Sequence, residues 1–566
     1  MGTFPWKRSH NNSEVFRMTQ ANWWQHGVGY QIYPKSFLDA NGDGIGDLTG
    51  ITEKIDYLDK LGVDFVWLCP IYKSPGIDNG YDIADYRSVD PQYGTMQDLD
   101  TLIKELHRHN IRIVMDMVLN HSSDQHQWFL QAKQDINSPY HDYYIWKKGK
   151  NGGTPNNWTS LFGGSAWEYN RATDEYYYHL YARQQPDLNW ENPHLRHEMH
   201  EIIKFWIKKG VDGFRLDAIT HLKKLQTFEN VDNPDQASRN IPGIEVFLRE
   251  LKNIYDHYGV MTVGEVGAVP PESAIKWVDP QKGYMDLLFQ FDHVNFGDNH
   301  KFDFATKSIP TVRKKLTDWQ IAAAKQGNLG LFIENHDLPR AVSYFGSEEP
   351  AYRNRSAKAA GLMYFMMKGT PFIYQGQELG MINDHITSIN EVTDIDSLRH
   401  YQERIKDGYN TQMALHEIAF KGRDNARTPM QWTAGSLAGF STTTSWIKVA
   451  DSYKTINVAS EEKSSNSVLN FYRQMITIKK SDITLQNGQY MLEKTRAKDL
   501  IVYRRFDTQA TWLIITNLSN LTYNYPLPQD LASQPYHVIL KNDGYITGNQ
   551  SKISLDAWGA VLLKFE

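Results

Sequence analysis

The feature that most constrains this chain is an alternation of short apolar runs with longer stretches of helical period. The runs are Gly29–Tyr33, Phe65–Cys69, Ile111–Val118, Gly213–Asp217, Met261–Glu265, Met285–Phe291, Leu329–Asn335 and Pro371–Gln375. Amphipathic stretches such as Ile51–Leu61, Met96–Arg108, Leu195–Lys208, Gly243–Tyr258, Val312–Gln326 and Ala351–Met367 lie between them. Strands alternating with helices are parallel βα units, and such a series over about 450 residues fits an α/β TIM (β/α)8 barrel with insertions. A doubly wound open sheet is the alternative, but no Gly-rich phosphate turn follows the first run.

The pattern lapses in three places. Residues 121–187 are rich in Trp, Tyr, Asn and Gly without helical period. That is too long for an ordinary loop, so an inserted excursion domain is expected after the third strand. Residues 383–443, after the eighth run, read as irregular. From Tyr490 onward, short alternating runs with Asn and Gly turns read as a C-terminal antiparallel β-sandwich. The expected division is an N-terminal extension at 1–22, a barrel at 23–120 and 188–485, the inserted domain at 121–187 and the sandwich at 486–566.

A chain of 566 residues exceeds one compact core. Its formal net charge of −6 points to neither nucleic acid nor a membrane surface. Cys69 is the only cysteine, which excludes an internal disulfide framework and a cysteine metal cluster. The first 22 residues are polar, without the apolar core of a signal peptide. No run approaches about 18 uninterrupted apolar residues, so no membrane span is expected. These readings favour a cytoplasmic protein, with a monomer preferred. Aromatic residues make up 13% of the chain, which suits a large core and also the stacking of sugar rings.

The chemistry gathers at strand ends, where TIM barrels carry their active sites. In Val211–Asp217, period-2 geometry puts Arg215 and Asp217 on one face. The cation favours the ionised carboxylate, a candidate nucleophile. The third run ends Asp116–His121, the fifth ends at Glu265, and the seventh ends Glu334–Asp337. Carboxylates from four strands therefore meet at one rim, with two His and one Arg among them. Hydrolysis of a glycosidic bond needs such a carboxylate pair. A divalent-metal enzyme is the rival reading.

Asp116–His121, Gly213–Asp217, Glu265 and Asn335–Asp337 resemble the four motif regions of the α-amylase family, glycoside hydrolase family 13. Gln185–Trp190 and Arg423–Trp432 resemble its oligo-1,6-glucosidase and α-glucosidase branch. The resemblance runs from about Trp23 to the C-terminus and implies a retaining hydrolase. It implies Asp217 as nucleophile, Glu265 as acid/base and Asp337 as the third carboxylate, which binds ring hydroxyls. Glu265 must start protonated, which the like charges of Asp217 and Asp337 favour. Arg215 orients the nucleophile, while His121 and His336 bind the sugar at the cleaved position. Asp78 and Arg427 close the pocket on the non-reducing end, with Arg423 as the alternative clamp. Tyr81 stacks on the first sugar, and Phe162, Tyr181 and Gln185 are expected to line the pocket.

A closed pocket implies exo action on short α-glucosides, maltose-type or sucrose, with transglucosylation as a side reaction. Ala218, next to the nucleophile, is expected near the leaving sugar. Within this branch, Val at that position accompanies α-1,6 preference and Ala accompanies α-1,4 cleavage. Oligo-1,6-glucosidase, sucrose isomerase and trehalose-6-phosphate hydrolase are the alternatives. A binding homologue without catalysis disagrees with the three carboxylates. Finally, Asp39, Asn41, Asp43 and Asp47, with the carbonyl of Ile45, alternate around a Gly turn as oxygen ligands do. Position twelve is Gly50 rather than Glu, so this is not an EF-hand. The resemblance implies a structural Ca²⁺ there.

Overall fold

The computed structural model describes residues 22–233, 235–294, 308–325, 327–544, 546–548 and 551–565. Most of the expected N-terminal extension lies outside them. Eight strands form the centre: β1 Gly29–Ile32, β2 Phe65–Leu68, β3 Arg112–Val118, β4 Gly213–Asp217, β5 Met261–Glu265, β6 Leu287–Phe289, β7 Leu329–Leu331 and β8 Thr370–Tyr374. They close into a barrel in which neighbours pair in parallel and β1 meets both β2 and β8. The α/β TIM barrel read from the alternation is the observed fold.

Register sets the site. β3 and β4 pair Asp116 with Arg215 and Val118 with Asp217. β4 and β5 pair Leu216 with Gly264, so one step further Asp217 stands level with Glu265. Adjacent strands lie about 4.8 Å apart, so the two carboxylates leave the rim as neighbours on one face. Gly213 makes this close pairing possible, because a Cβ there would sit 2.7 Å from the Met261 carbonyl oxygen.

The helices follow local chemistry. Met96–Arg108 opens with a capping box, in which Thr95 and Asp98 satisfy each other's backbone N–H groups. Pro193–Lys209 is capped by Asn192 and ends at Gly210, whose φ of 109° suits glycine. The expected helix at Ile51–Leu61 is two, Leu48–Glu53 and Ile55–Leu61. The first starts early because Asp47 caps it by accepting from the Gly50 N–H.

The stretch after β8 differs more from expectation. It holds two helices, Ile395–Lys406 and Thr411–Lys421, capped by Asp394 and Asn410. The first fully buries only Asp396 and Ser397, and its stripe of Ile395, Leu398 and Tyr401 is only half-buried, with Leu398 and Tyr401 against Ile386, Val392 and Ile418.

Between β3 and β4, an antiparallel sheet of Trp146–Lys147, Glu175–Tyr178 and Trp167–Asn170 rises over the rim. It has its own apolar cluster around Trp158, Trp167, Tyr178 and Leu180. Lys224 fastens this excursion to the barrel, placing its ammonium 2.7 Å from Asp187 and 2.7 Å from the Asn120 amide oxygen. The C-terminal region is a five-stranded antiparallel sheet of β9 Gln489–Leu492, β10 Leu500–Phe506, β11 Thr511–Asn517, β12 Tyr536–Lys541 and β13 Ala560–Phe565. A three-stranded sheet of Tyr523–Pro526, Ile546–Gly548 and Lys552–Leu555 packs against it through Tyr525, Ile553 and Leu555. Among the described residues, no helix is long and apolar enough to cross a membrane.

Candidate active site

Arg215 is the centre of the site. It is buried, and its Nη1 donates to Asp116 Oδ1 at 2.8 Å and to Asp217 Oδ1 at 2.7 Å. Its Nη2 meets Glu265. One planar cation therefore holds three carboxylates, and it spans the two expected to act on the glycosidic bond. The backbone N–H of Ala218 donates to Glu265 Oε2 at 3.2 Å. That residue is in the left-handed region, with φ 46° and ψ 31°, as the chain turns sharply off β4.

Three carboxylates against one guanidinium leave an excess of negative charge in a buried place. Burial pushes the Asp217 carboxyl well above the usual carboxylate range, Arg215 pulls it back, and Glu265 and Asp116 push it up again. Burial likewise pushes Asp116 up to about 6 against the pull of Arg215. The group retains a proton more readily than separate carboxylates would.

The opposite wall comes from the β2 loop and the end of β7. The Tyr81 hydroxyl lies 2.9 Å from Asp116 Oδ2 and 2.8 Å from His336 Nε2. Its ring stacks on His336 at 5.4 Å with 8° between planes. Gln31, from β1, places its amide nitrogen 2.8 Å from His336 Nδ1. Gln185 donates to Asp78 Oδ2 at 3.2 Å and approaches His121 Nε2 at 3.1 Å. Tyr181 packs 5.1 Å from His121 and 5.6 Å from Phe162, so the inserted domain supplies one side of the cleft. Burial pushes His121 down to about 4 and His336 down to about 3, so both are neutral near pH 7.

Both candidate arginines are present. Arg423 Nη2 donates to Asp78 Oδ1 at 3.0 Å, whereas Arg427 Nη2 donates to Asp337 Oδ1 at 2.7 Å. Of the two candidate clamps, the direct partner of Asp78 is therefore Arg423, while Arg427 holds Asp337. Arg423 also reaches Asp337 at 3.5 Å and covers the Phe162 ring at 5.4 Å. Burial pushes Asp78 up to about 6 against the pull of these two cations. Sequence reasoning missed Gln31 and Asp394 here, and it named Asp116 without giving it a role. Asp116 had a usable signal, since it lies level with Arg215 on the adjacent strand.

The loop expected to hold a metal closes on its own backbone. Asp39 accepts from the Gly42 and Gly44 N–H groups at 2.6 and 2.8 Å, and Asp47 accepts from Ala40, Asn41 and Gly50. Asn41 and Asp43 accept from Asp43 and Ile45 in turn. Among the described residues, no three His, Cys, Asp or Glu side chains gather closely enough to hold a metal ion.

Comparison with known proteins agrees with the fold. Residues 31–488 match the alpha amylase catalytic domain family. The oligo-1,6-glucosidase of Parageobacillus thermoglucosidasius is 43% identical, with 96% of this chain and 99% of that protein aligned. The trehalose-6-phosphate hydrolase of Bacillus subtilis (strain 168) is 42% identical over 94% of this chain and 96% of that protein. Among solved structures, an isomaltulose synthase from a Klebsiella species superposes with a TM-score of 0.92 at 37% identity, covering 96% of this chain and 99% of that one. The chain belongs to the α-amylase family.

Proposed function

We propose that this protein is a retaining, exo-acting α-glucosidase that releases glucose from the non-reducing end of short α-glucosides. The observation that carries the reading is the bridging of Asp217 and Glu265 by Arg215. Neighbouring strands in register favour the short carboxyl spacing of about 5–5.5 Å that retention needs, over the wider gap of inverting enzymes. The mechanism calls for one proton on Glu265 and an ionised Asp217, a state that the pull of Arg215 on Asp217 favours against the opposing push of burial.

In the first step an Asp217 oxygen attacks the anomeric carbon and the glycosidic C–O bond breaks. Glu265 gives its proton to the leaving oxygen. In the second step water attacks the same carbon, passes a proton to Glu265 and frees Asp217. Asp337 binds hydroxyls of the distorted ring, and neutral His121 and His336 serve as hydrogen-bonding groups to the sugar. Asp78, held by Arg423 and Gln185, closes the far end, which limits the pocket to one sugar and supports exo action. Phe162, Tyr181 and Tyr81 form its aromatic wall.

Ala218 favours maltose-type or sucrose substrates. The names of two relatives, oligo-1,6-glucosidase and trehalose-6-phosphate hydrolase, favour isomaltose or a phosphorylated disaccharide instead. Product analysis with maltose, isomaltose, sucrose, trehalose and trehalose 6-phosphate decides among them. Glucose released from maltose or sucrose at least as fast as from isomaltose is expected. No glucose from any of the five would refute the reading.

We further propose that the Asp39–Asp47 loop holds a structural Ca²⁺. Its donors are all oxygen, the preference of hard cations, and Asp39 and Asp47 are buried. Among the described residues no three carboxylates of the loop converge, and Asp39 and Asp47 already accept backbone N–H groups, so an ion would use their remaining lone pairs together with the Asn41 amide oxygen and the Ile45 carbonyl. The protein is further proposed to be a cytoplasmic monomer, in keeping with the free, buried thiol of Cys69.

A further inference from the structure

Asp394 is a fully buried carboxylate with two separate duties. Its Oδ2 accepts from the Ser397 N–H at 3.0 Å and from the Ser397 hydroxyl at 2.6 Å, which caps the helix Ile395–Lys406. Its Oδ1 receives Arg423 Nε at 2.7 Å and Nη2 at 2.6 Å, and lies 3.7 Å from Arg427 Nη1. Asp424 fixes the backbone around it by accepting from the Thr393 and Asp394 N–H groups at 2.7 and 3.1 Å. A helix cap alone needs one side-chain oxygen, and asparagine serves as well as aspartate. The second oxygen therefore calls for another explanation.

That explanation lies in the arginine fork. A guanidinium has five N–H donors in a rigid plane and tends to pair edge-on with a single carboxylate. Asp394 occupies the edge of Arg423 formed by Nε and one N–H of Nη2. This leaves the second N–H of Nη2 to reach Asp78 at 3.0 Å, and Nη1 directed toward Asp337 at 3.5 Å. Without Asp394, Arg423 would be free to turn its fork fully onto Asp78 and take up oxygen lone pairs that a sugar hydroxyl needs. The helix that Asp394 caps also runs against the wall of the cleft. A Cβ at Gly163, next to Phe162, would lie 2.4 Å from Glu403 and 3.2 Å from Arg399.

We propose that Asp394 is a positioning residue for the terminal-sugar end of the pocket, setting how Arg423 presents itself to Asp78 and Asp337. The proposal rests on the exo-glucosidase reading above. It makes Asp394 part of substrate affinity rather than of bond breaking, because it touches no reacting atom.

The test is Asp394→Asn, which keeps an oxygen for the helix cap and removes the charge facing Arg423. The measurements are kcat and KM on p-nitrophenyl α-glucoside, inhibition by glucose, and thermal melting. KM and the glucose inhibition constant are expected to rise about tenfold, with kcat within about threefold, as for loss of uniform binding. Melting should stay near wild type. A variant that binds substrate and glucose as tightly as wild type overturns the proposal, as does a loss confined to kcat. If Asp394→Asn does not fold, Arg423→Lys takes its place, since lysine keeps a cation on Asp78 but cannot span Asp394 as well. Unchanged KM and glucose inhibition in that variant also overturn the proposal. A wild-type enzyme without turnover on this substrate would instead refute the glucosidase reading.

Discussion

Replacing Ala218 with Val tests how the residue after the proposed nucleophile, Asp217, sets linkage preference. Ala218 is 4% exposed, and its N–H holds Glu265, so added methyl groups enter a filled corner of the site. They act in two ways. Room for the leaving sugar shrinks, and an α-1,6-linked sugar has an extra rotatable bond by which to swing clear. That discrimination is about 1–3 kcal/mol, the scale of a few methyl groups in a pocket. The backbone at φ 46° also disfavours a β-branched residue, at a cost of about 1–2 kcal/mol. The assay is the ratio of kcat/KM for maltose over isomaltose in both proteins, with melting alongside. Ala218→Val should lower the ratio by about 5- to 150-fold and melt earlier. Ala218→Gly should relieve the backbone without moving the ratio toward isomaltose, which separates strain from room. An unchanged ratio in Ala218→Val refutes the argument, as does a wild type that cleaves isomaltose far faster than maltose.

Other expectations follow from the charges. Asp217→Asn should lose about four orders of magnitude in kcat or more and still fold, and a loss within about tenfold would refute its role. Glu265→Gln should fail on unactivated glycosides yet retain glycosylation from substrates whose leaving group needs no proton. As pH falls through about 6, Asp78 and Asp116 take up protons, so kcat/KM should fall there, and Asp78→Asn should change that limb of the profile. His121 and His336, held near 4 and 3, should add no limb at neutral pH. Their effect on stability has the opposite sign to that of the raised carboxyls. Below 6.5 the unfolded chain protonates these histidines first, so acid costs stability. Asp78 and Asp116 bind protons first in the native state between about 6 and 3.8, which offsets part of that loss. Chelation of Ca²⁺ should lower the melting temperature, by mass action worth about 2.7 kcal/mol at a hundredfold excess over Kd. Turnover at low temperature should barely change, and instant loss of activity with unchanged melting would contradict a structural ion.

The barrel, and the place of the carboxylates at its rim, were legible because each carboxylate ends an apolar run, and period-2 geometry then fixes its face. Arg215 and Asp217 could be placed together from two residues of spacing. The arginines could not be apportioned in this way. Arg423 directly precedes one short helical turn, Asp424–Arg427, and Arg427 ends it, so both reach the pocket from the same place. Only the three-dimensional path of the β2 loop decides which one meets Asp78. Asp394 stayed hidden because its helix lies after the last barrel strand, outside the alternation of runs and helices, and its short stripe of Ile395, Leu398 and Tyr401 is only half-buried. The contacts among Tyr81, His336 and Gln31 join β1, β7 and the β2 loop across more than 250 residues, and no local pattern encodes them.

The central claim is that Asp217 becomes covalently attached to the sugar. Incubation with a fluorinated α-glucosyl fluoride, which forms the glycosyl-enzyme faster than water removes it, should trap that species. Intact-mass and peptide mass spectrometry should find one glycosyl adduct per chain, on the peptide that holds Asp217. Glu265→Gln should still label, since fluoride leaves without a proton, while Asp217→Asn should not. An adduct on another carboxylate, or turnover of the reagent through inverted glucose with no adduct at all, would contradict the account.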